Sequence, residues 1–315
     1  MLVVCGEAVI DLISDGSPAG YQARPGGSPL NVAAGSARLG IETAMLARLC
    51  GGRFGELLRL HLTEAGVDLK FSVDALEPAT LAVLSLDHDA DAVYDFYLQG
   101  TADWGWSAPE LPDPLPAEVA ALHVGSLASW RAPSCVAIAE MVLRESRRGQ
   151  VLISFDPNVR EAAVDHPGEV RVRIAELIQL AHIVKVSVAD ITWLCPGESP
   201  AAAAARWAHS GPDLVVLTDG SKGAIAYRQG NPPRHVAARK VPVVDTVGAG
   251  DAFTAGLLAA LADRGRLHRD ALVGLDDSEL DAVLGSAAIV AALSCTRQGA
   301  DPPTRVERDA WWART

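Results

Sequence analysis

Between Ala120 and Leu217 short apolar runs alternate with longer helical stretches, and this alternation limits the fold more than any other feature of the chain. The runs are Leu122-His123-Val124, Val151 to Phe155, Ile183 to Val186 and Leu214 to Leu217. Helices are predicted near Pro133 to Arg148, Pro167 to Leu180, Val188 to Leu194 and Pro200 to His209. Runs with little polar alternation belong to strands buried on both faces. Such strands form a mostly parallel sheet between helical layers, so the expected class is α/β.

The first hundred residues are more varied. Met1 to Ile13 reads as a strand with a break at Gly6-Glu7, and Thr43 to Leu49 as a second strand. Ser28 is expected to cap a helix with Pro29 at its first position, running to Leu39 and stopping at Gly40. Its small residues, Ala33 to Ala37, would let it lie close to a neighbour. A helix from Phe54 to Ala65 should end at Gly66. Leu81 to Leu86 and Ala92 to Tyr97 flank the polar turn Asp87 to Asp91 without helical period, which suggests an antiparallel ribbon. One α/β domain over residues 1–315, with a small β insertion near 68–100, is the expected organisation.

The chain has 315 residues, 49% of them hydrophobic, enough for a large core. Its net charge of −12, with no basic block, argues against nucleic acid or an anionic membrane surface as partner. Any polyphosphate must therefore be held by local groups. Five scattered cysteines without a Cys-x-x-Cys fit reduced thiols in the cytoplasm. The apolar start Met1 to Cys5 is too short for a secretory leader, and no apolar run reaches the ~20 residues of a membrane helix.

Chemistry concentrates in Val244-Asp245-Thr246-Val247-Gly248-Ala249-Gly250-Asp251-Ala252-Phe253. A β-rich run, Lys240 to Val244, meets two glycines, and a small-residue helix follows from Ala252 to Ala262. Glycines leave backbone N–H groups unshielded, and a helix N-terminus attracts phosphate. Asp251 in that first turn suits a base acting on a hydroxyl that receives phosphate. Close packing of a helix on a sheet is the competing explanation.

Other candidates carry similar alternatives. Gly26-Gly27-Ser28-Pro29-Leu30-Asn31 is either a ligand-facing turn or a plain helix start. Asp11, at a strand end, either accepts sugar hydroxyls or is solvated. Asp156-Pro157-Asn158-Val159-Arg160 is a polar strand-end turn that could bind a ligand or simply turn the chain. Asp190 either holds Mg²⁺ through water or belongs to a helix start. Thr218 to Gly223 either holds a nucleotide or forms a hairpin. No Walker A loop, dinucleotide fingerprint, Gly-x-Ser-x-Gly, His-Glu-x-x-His or histidine metal spacing occurs. His123 and His182 read as core residues.

Together these motifs resemble the ribokinase-like PfkB family of carbohydrate kinases, over nearly the whole chain. Gly26 to Ala33 is similar to its N-terminal signature and Asp245 to Phe253 to its C-terminal one. Gly6-Glu7-Ala8-Val9-Ile10-Asp11, Gly100-Thr101-Ala102-Asp103, Asp156 to Arg160 and Gly299-Ala300-Asp301-Pro302 look most like bacterial fructokinases. The resemblance implies a three-layer α/β/α fold with a mostly parallel central sheet and a small β-sheet lid, formed near 14–25 and 68–100. It makes Asp251 the base, and Gly248, Ala249 and Gly250 the anion hole. Asp11, Gly26, Gly27, Asn31 and Arg160 would hold the sugar. Asn158, Lys185, Ser187, Thr218, Gly220 and Gly223 would line ATP. Asp190 would serve Mg²⁺. A K⁺ ion would sit among Asp245, Val247, Ser294, Arg297 and Gly299. A homodimer through the lid would also be consistent with the family.

Departures from the family pattern carry information. Ser187 and Asp190 stand where many members have Asn-x-x-Glu, and Val247 replaces Thr. Leu98 stands where 2-keto-3-deoxygluconate kinases often have Arg, which favours a neutral sugar. The expected reaction is phosphoryl transfer from ATP to a primary hydroxyl of a ketohexose, fructose above all, with the helix N-terminus keeping Asp251 ionised. The rivals are a keto-acid kinase, a nucleoside kinase and a non-catalytic sugar sensor.

Overall fold

In the computed structural model, which describes residues 1–17, 20–86 and 92–314, strands and helices follow the expected alternation. The N-terminal part contains β1 (Leu2–Cys5), β2 (Val9–Ser14), β3 (Tyr21–Gly26), α1 (Ser28–Arg38), β4 (Thr43–Leu46), β5 (Arg48–Cys50), α2 (Gly52–Glu64), β6 (Val73–Ala75), β7 (Leu81–Leu86) and β8 (Ala92–Tyr97). Next come β9 (Ala121–Gly125), α3 (Ser126–Trp130), α4 (Ser134–Arg148), β10 (Leu152–Asp156), α5 (Pro167–Leu180), β11 (Ile183–Ser187), α6 (Val188–Leu194) and α7 (Pro200–Ala208). The last part holds β12 (Leu214–Thr218), β13 (Ala224–Tyr227), β14 (Arg234–Val236), α8 (Ala249–Ala262), α9 (Arg269–Val273), α10 (Asp277–Ser294) and α11 (Arg305–Trp312).

Eight strands form the central sheet in the order β14-β13-β12-β11-β10-β9-β1-β4. Its strands are parallel from β12 to β4, and β13 and β14 add on as antiparallel edge strands. Alternate residues of each strand feed opposite cores. Leu2 and Val4 join the core under α1, α8 and α10, whereas Val3 and Cys5 join the one under α4, α5 and α7. These two covered faces explain the unbroken apolar runs.

A second sheet, β3-β2-β7-β8, forms the lid. The break at Gly6-Glu7 is where the chain leaves the central sheet, so Met1 to Ile13 supplies strands to two different sheets. The ribbon of β7 and β8 is antiparallel as expected. The turn 87–91 proposed between them lies outside the described residues. The lid takes in residues from Val9 onward, while Val73–Ala75 pairs with Arg48–Cys50 in a separate ribbon.

Two local expectations give way to tertiary context. Lys240 to Val244 is not a strand: Val243 and Val244 are each 63% exposed, and Val244 donates its N–H to the Cys295 carbonyl. Pro242 has no N–H to give a ladder. Ser28 does not cap α1, because Gly27 holds that position and the Ser28 hydroxyl is committed elsewhere. The small residues of α1 do meet a close neighbour, which is α8. A Cβ at Gly35 would stand 2.9 Å from the Ala255 Cβ. This close approach places the first turn of α1 beside the first turn of α8.

Candidate active site

The site lies beyond the carboxyl ends of β9, β10 and β11, where ligands of open α/β sheets bind. At its centre is the start of α8. Gly248 takes the left-handed conformation (φ 72°) that favours glycine, and a Cβ there would lie 2.5 Å from the Ala300 Cβ. Among the described residues no carbonyl accepts from the Gly248, Gly250 or Asp251 amide, whereas the Ala249 amide bonds the Thr246 carbonyl at 3.2 Å. Three of the four amides therefore remain for an anion.

Asp251 is 8% exposed and lies between α8 and α1. Ser28 Oγ donates to its Oδ1 at 2.6 Å, and Asn31 Nδ2 donates to its Oδ2 at 2.8 Å. Burial pushes the Asp251 pKa above the usual carboxylate range, while these two donors and Lys185 pull it back. Desolvation is the largest influence on this acid. A carboxylate with a raised pKa is a better proton acceptor than an ordinary one.

Asp11 faces this centre from the lid strand β2, not from the central sheet. A Cβ at Gly26 would meet its carboxylate, so the bare residue leaves the Asp11 side chain its present place. Burial raises the Asp11 pKa to about 6, with Arg160 lowering it and Asp251 raising it. Those influences show that Asp11, Arg160 and Asp251 share one neighbourhood. Gly27 has φ 102° and passes close to the Glu7 carbonyl.

Asn158 is held at φ 36°, and its side-chain amide donates to Ser126 Oγ at 3.3 Å. Ser126 is itself at φ 56°. Two non-glycine residues in the left-handed region, bonded to each other at adjacent strand ends, mark stored strain of the kind found at ligand sites. Nothing in the local sequence of Ser126 signals this.

The remaining expected positions divide. Lys185 is buried, and its Nζ donates to Asp156 Oδ2 at 2.9 Å beside Gly250, so it lies against the first turn of α8. Ser187 and Asp190 form the capping box of α6: Asp190 Oδ2 accepts from the Ser187 N–H and Oγ, and Oδ1 accepts from the Val159 N–H. Both Asp190 oxygens thus accept protein hydrogen bonds at the start of α6, which is the helix-start alternative for this residue. Thr218 ends β12, and Gly220 is open to its surroundings. Gly223 turns the β12–β13 hairpin against the Val236 carbonyl, which is a role in folding.

Asp245 accepts from the Val247 N–H at 3.0 Å and the Gly299 N–H at 2.8 Å, drawing those residues together beneath the Gly248 turn. The Arg297 side chain turns away toward Asp301 and Glu307. Ser294 Oγ is buried and has no hydrogen-bond partner. Among the described residues, Cys295, the neighbour of Ser294 in sequence, accepts from the Asp245 N–H through its carbonyl, so this hydroxyl belongs to the segment that meets Asp245. Among the described residues no three His, Cys, Asp or Glu side chains cluster as a metal site.

Known fructokinases are similar to this chain along most of its length. A fructokinase of Rhizobium leguminosarum bv. trifolii is 34% identical over 283 residues, covering 89% of this chain and 85% of the relative. The structure of a Xylella fastidiosa fructokinase with bound ATP superposes with a TM-score of 0.91 at 26% identity, covering 99% of this chain and 98% of the other. A Vibrio cholerae O395 fructokinase bound to fructose, ADP and potassium ion gives 0.85 at 29% identity, over 98% and 97% of the two chains. Residues 1–306 match the family described as pfkB family carbohydrate kinase, and the chain belongs to that family.

Proposed function

We propose that this chain is an ATP-dependent sugar kinase that transfers the γ-phosphoryl group to a primary hydroxyl of fructose. The observation that carries this reading is the Asp251 carboxylate, held by Ser28 and Asn31 at the open N-terminus of α8 and faced by Asp11 from the lid. Fructokinase relatives and the fructose-bound and ATP-bound structures support the choice of substrates.

In this mechanism Asp11 and Arg160 orient the sugar so that its hydroxyl points at Asp251. The hydroxyl oxygen attacks phosphorus in line with the departing ADP oxygen, and its proton passes to Asp251. The Gly248, Gly250 and Asp251 amides hold the equatorial oxygens of the phosphoryl group, whose charge is spread in the transition state. Thr218 and Gly220 border the nucleotide. Lid closure excludes water and suppresses ATP hydrolysis.

Asp245, Ser294 and the backbone oxygens at Val247, Arg297 and Gly299 would hold K⁺, which supplies positive charge beneath the anion hole. Magnesium belongs to the reading as an ion carried by the triphosphate, and no step is assigned to an ion at Asp190. A homodimer fits the lid, whose edge strands expose Tyr21 and Tyr97. A cytoplasmic setting fits the five free thiols. Among the described residues no helix is long and apolar enough to cross a membrane.

The test is ADP release from the purified chain over ketoses, aldoses, keto acids and nucleosides, with and without K⁺. Fructose should give the highest kcat/KM. A preference for a keto acid or a nucleoside would move the chain to another branch of the family. Sugar binding without ADP would make it a sensor.

A further inference from the structure

Among the described residues the ion pair between Lys185 and Asp156 is the most buried one, with side chains 6% and 0% exposed. Lys185 Nζ lies 3.0 Å from where a Cβ at Gly250 would stand, so glycine at that position lets an ammonium reach the back of the anion hole. Thr254, one turn along α8, directs its hydroxyl at the same Asp156 oxygen at 3.5 Å and at the Gly250 carbonyl at 3.2 Å. An ammonium has three N–H donors, and among the described residues Asp156 is the acceptor found for one of them.

The charges around this ammonium are mostly negative. Asp156 on β10, Asp190 on α6 and Asp251 on α8 all act on Lys185, and together they outweigh the lowering by burial and raise its pKa. Asp11 on β2 faces Asp251 from the lid, and the exposed Arg160 is the other cation in reach. His123 on β9 stays neutral, its pKa pushed down to about 3 by burial and by Lys185. A triphosphate arriving here meets a floor of carboxylates with one buried cation in it.

Building on the kinase reading, we propose that Lys185, clamped by Asp156 behind Gly250, is a positioning residue for phosphoryl transfer. Its ammonium offsets the carboxylates against which the phosphoryl group and Asp251 must meet. The pair acts on the base in opposite senses: Lys185 draws the Asp251 pKa down and Asp156 pushes it up. This opposition separates the role from simple structural support. Loss of a structural strut lowers activity without moving the pH at which Asp251 is protonated.

The experiment measures kcat against pH by ADP release with fructose and ATP, alongside thermal unfolding, for the wild-type chain, Lys185→Met, Asp156→Asn and the double variant Lys185→Met/Asp156→Leu. Lys185→Met leaves a buried carboxylate without its partner and is prone to unfold; the double variant removes both charges, and Asp156→Asn keeps the hydrogen bond. Lys185→Met is expected to lower kcat roughly 10²-fold, the scale for one preorganised electrostatic group, and to move the acid limb to higher pH. Asp156→Asn is expected to move that limb to lower pH. Folded variants that keep the wild-type limb, or that lose activity with the limb unmoved, overturn the proposal. A wild-type chain that releases no ADP with any sugar defeats the kinase reading instead.

Discussion

Ser28 Oγ donates to Asp251 Oδ1 at 2.6 Å across 223 positions of sequence. This bond ties the first turn of α1 to the first turn of α8 and holds the proposed base in place. With Asn31 on the second oxygen, the carboxylate cannot rotate freely, so the oxygen that takes the proton is selected by the fold.

Replacing Asp251 by Ala should lower kcat by about 10²–10⁴, the range for removing a positioned general base. Fructose binding, followed by calorimetry, should persist. A variant with near-normal turnover would remove Asp251 from the mechanism.

Ser28→Ala removes a hydrogen bond to a buried carboxylate, an interaction of about 1.5–3 kcal/mol for a charged partner. Part of that loss should appear as a higher Asp251 pKa, so the acid limb of kcat should move up by about one pH unit. An unmoved limb would mean that the hydroxyl only packs.

Asp11→Asn tests sugar contact from the lid. It should raise KM for fructose at least tenfold, about 1.4 kcal/mol or more, with KM for ATP unchanged. Equal losses for both substrates would place Asp11 outside the sugar site.

Glu7 predicts a pH-dependent stability. It is buried, its Oε2 accepts from the Ala128 N–H at 3.0 Å, and burial raises its pKa from 4.5 to about 7. The folded chain thus holds this proton between those two values while the unfolded chain releases it. Stability from this group is full below about pH 4.5 and is lost as pH rises toward about 7. Glu7→Gln should therefore stabilise the chain at neutral pH by roughly 1–3 kcal/mol and flatten that slope in urea unfolding. A slope unchanged by the substitution would reject the assignment.

Gly35→Val probes the approach of α1 to α8. The added Cβ would stand 2.9 Å from that of Ala255, and overpacking of this kind costs about 1–3 kcal/mol. Because α1 carries Ser28 and Asn31, kcat should fall together with the urea midpoint. Full activity in the variant would show that the two helices can part without disturbing Asp251.

What the sequence by itself determined was local. Unbroken apolar strands announced a covered parallel sheet, and the glycines before Asp251 announced an exposed helix start, because periodicity and backbone freedom belong to neighbouring residues. Partners chosen across the fold were beyond its reach. Ser28 looked like a helix cap and binds Asp251, Lys185 gave no sign of its pairing with Asp156, and of the two alternatives open for Asp190 the sequence did not show that it caps α6 and also reaches the Val159 N–H. Lys240 to Val244 had strand residues but found no ladder. Each of these outcomes depends on which polar group lies within hydrogen-bonding distance once burial removes water, and packing alone decides that.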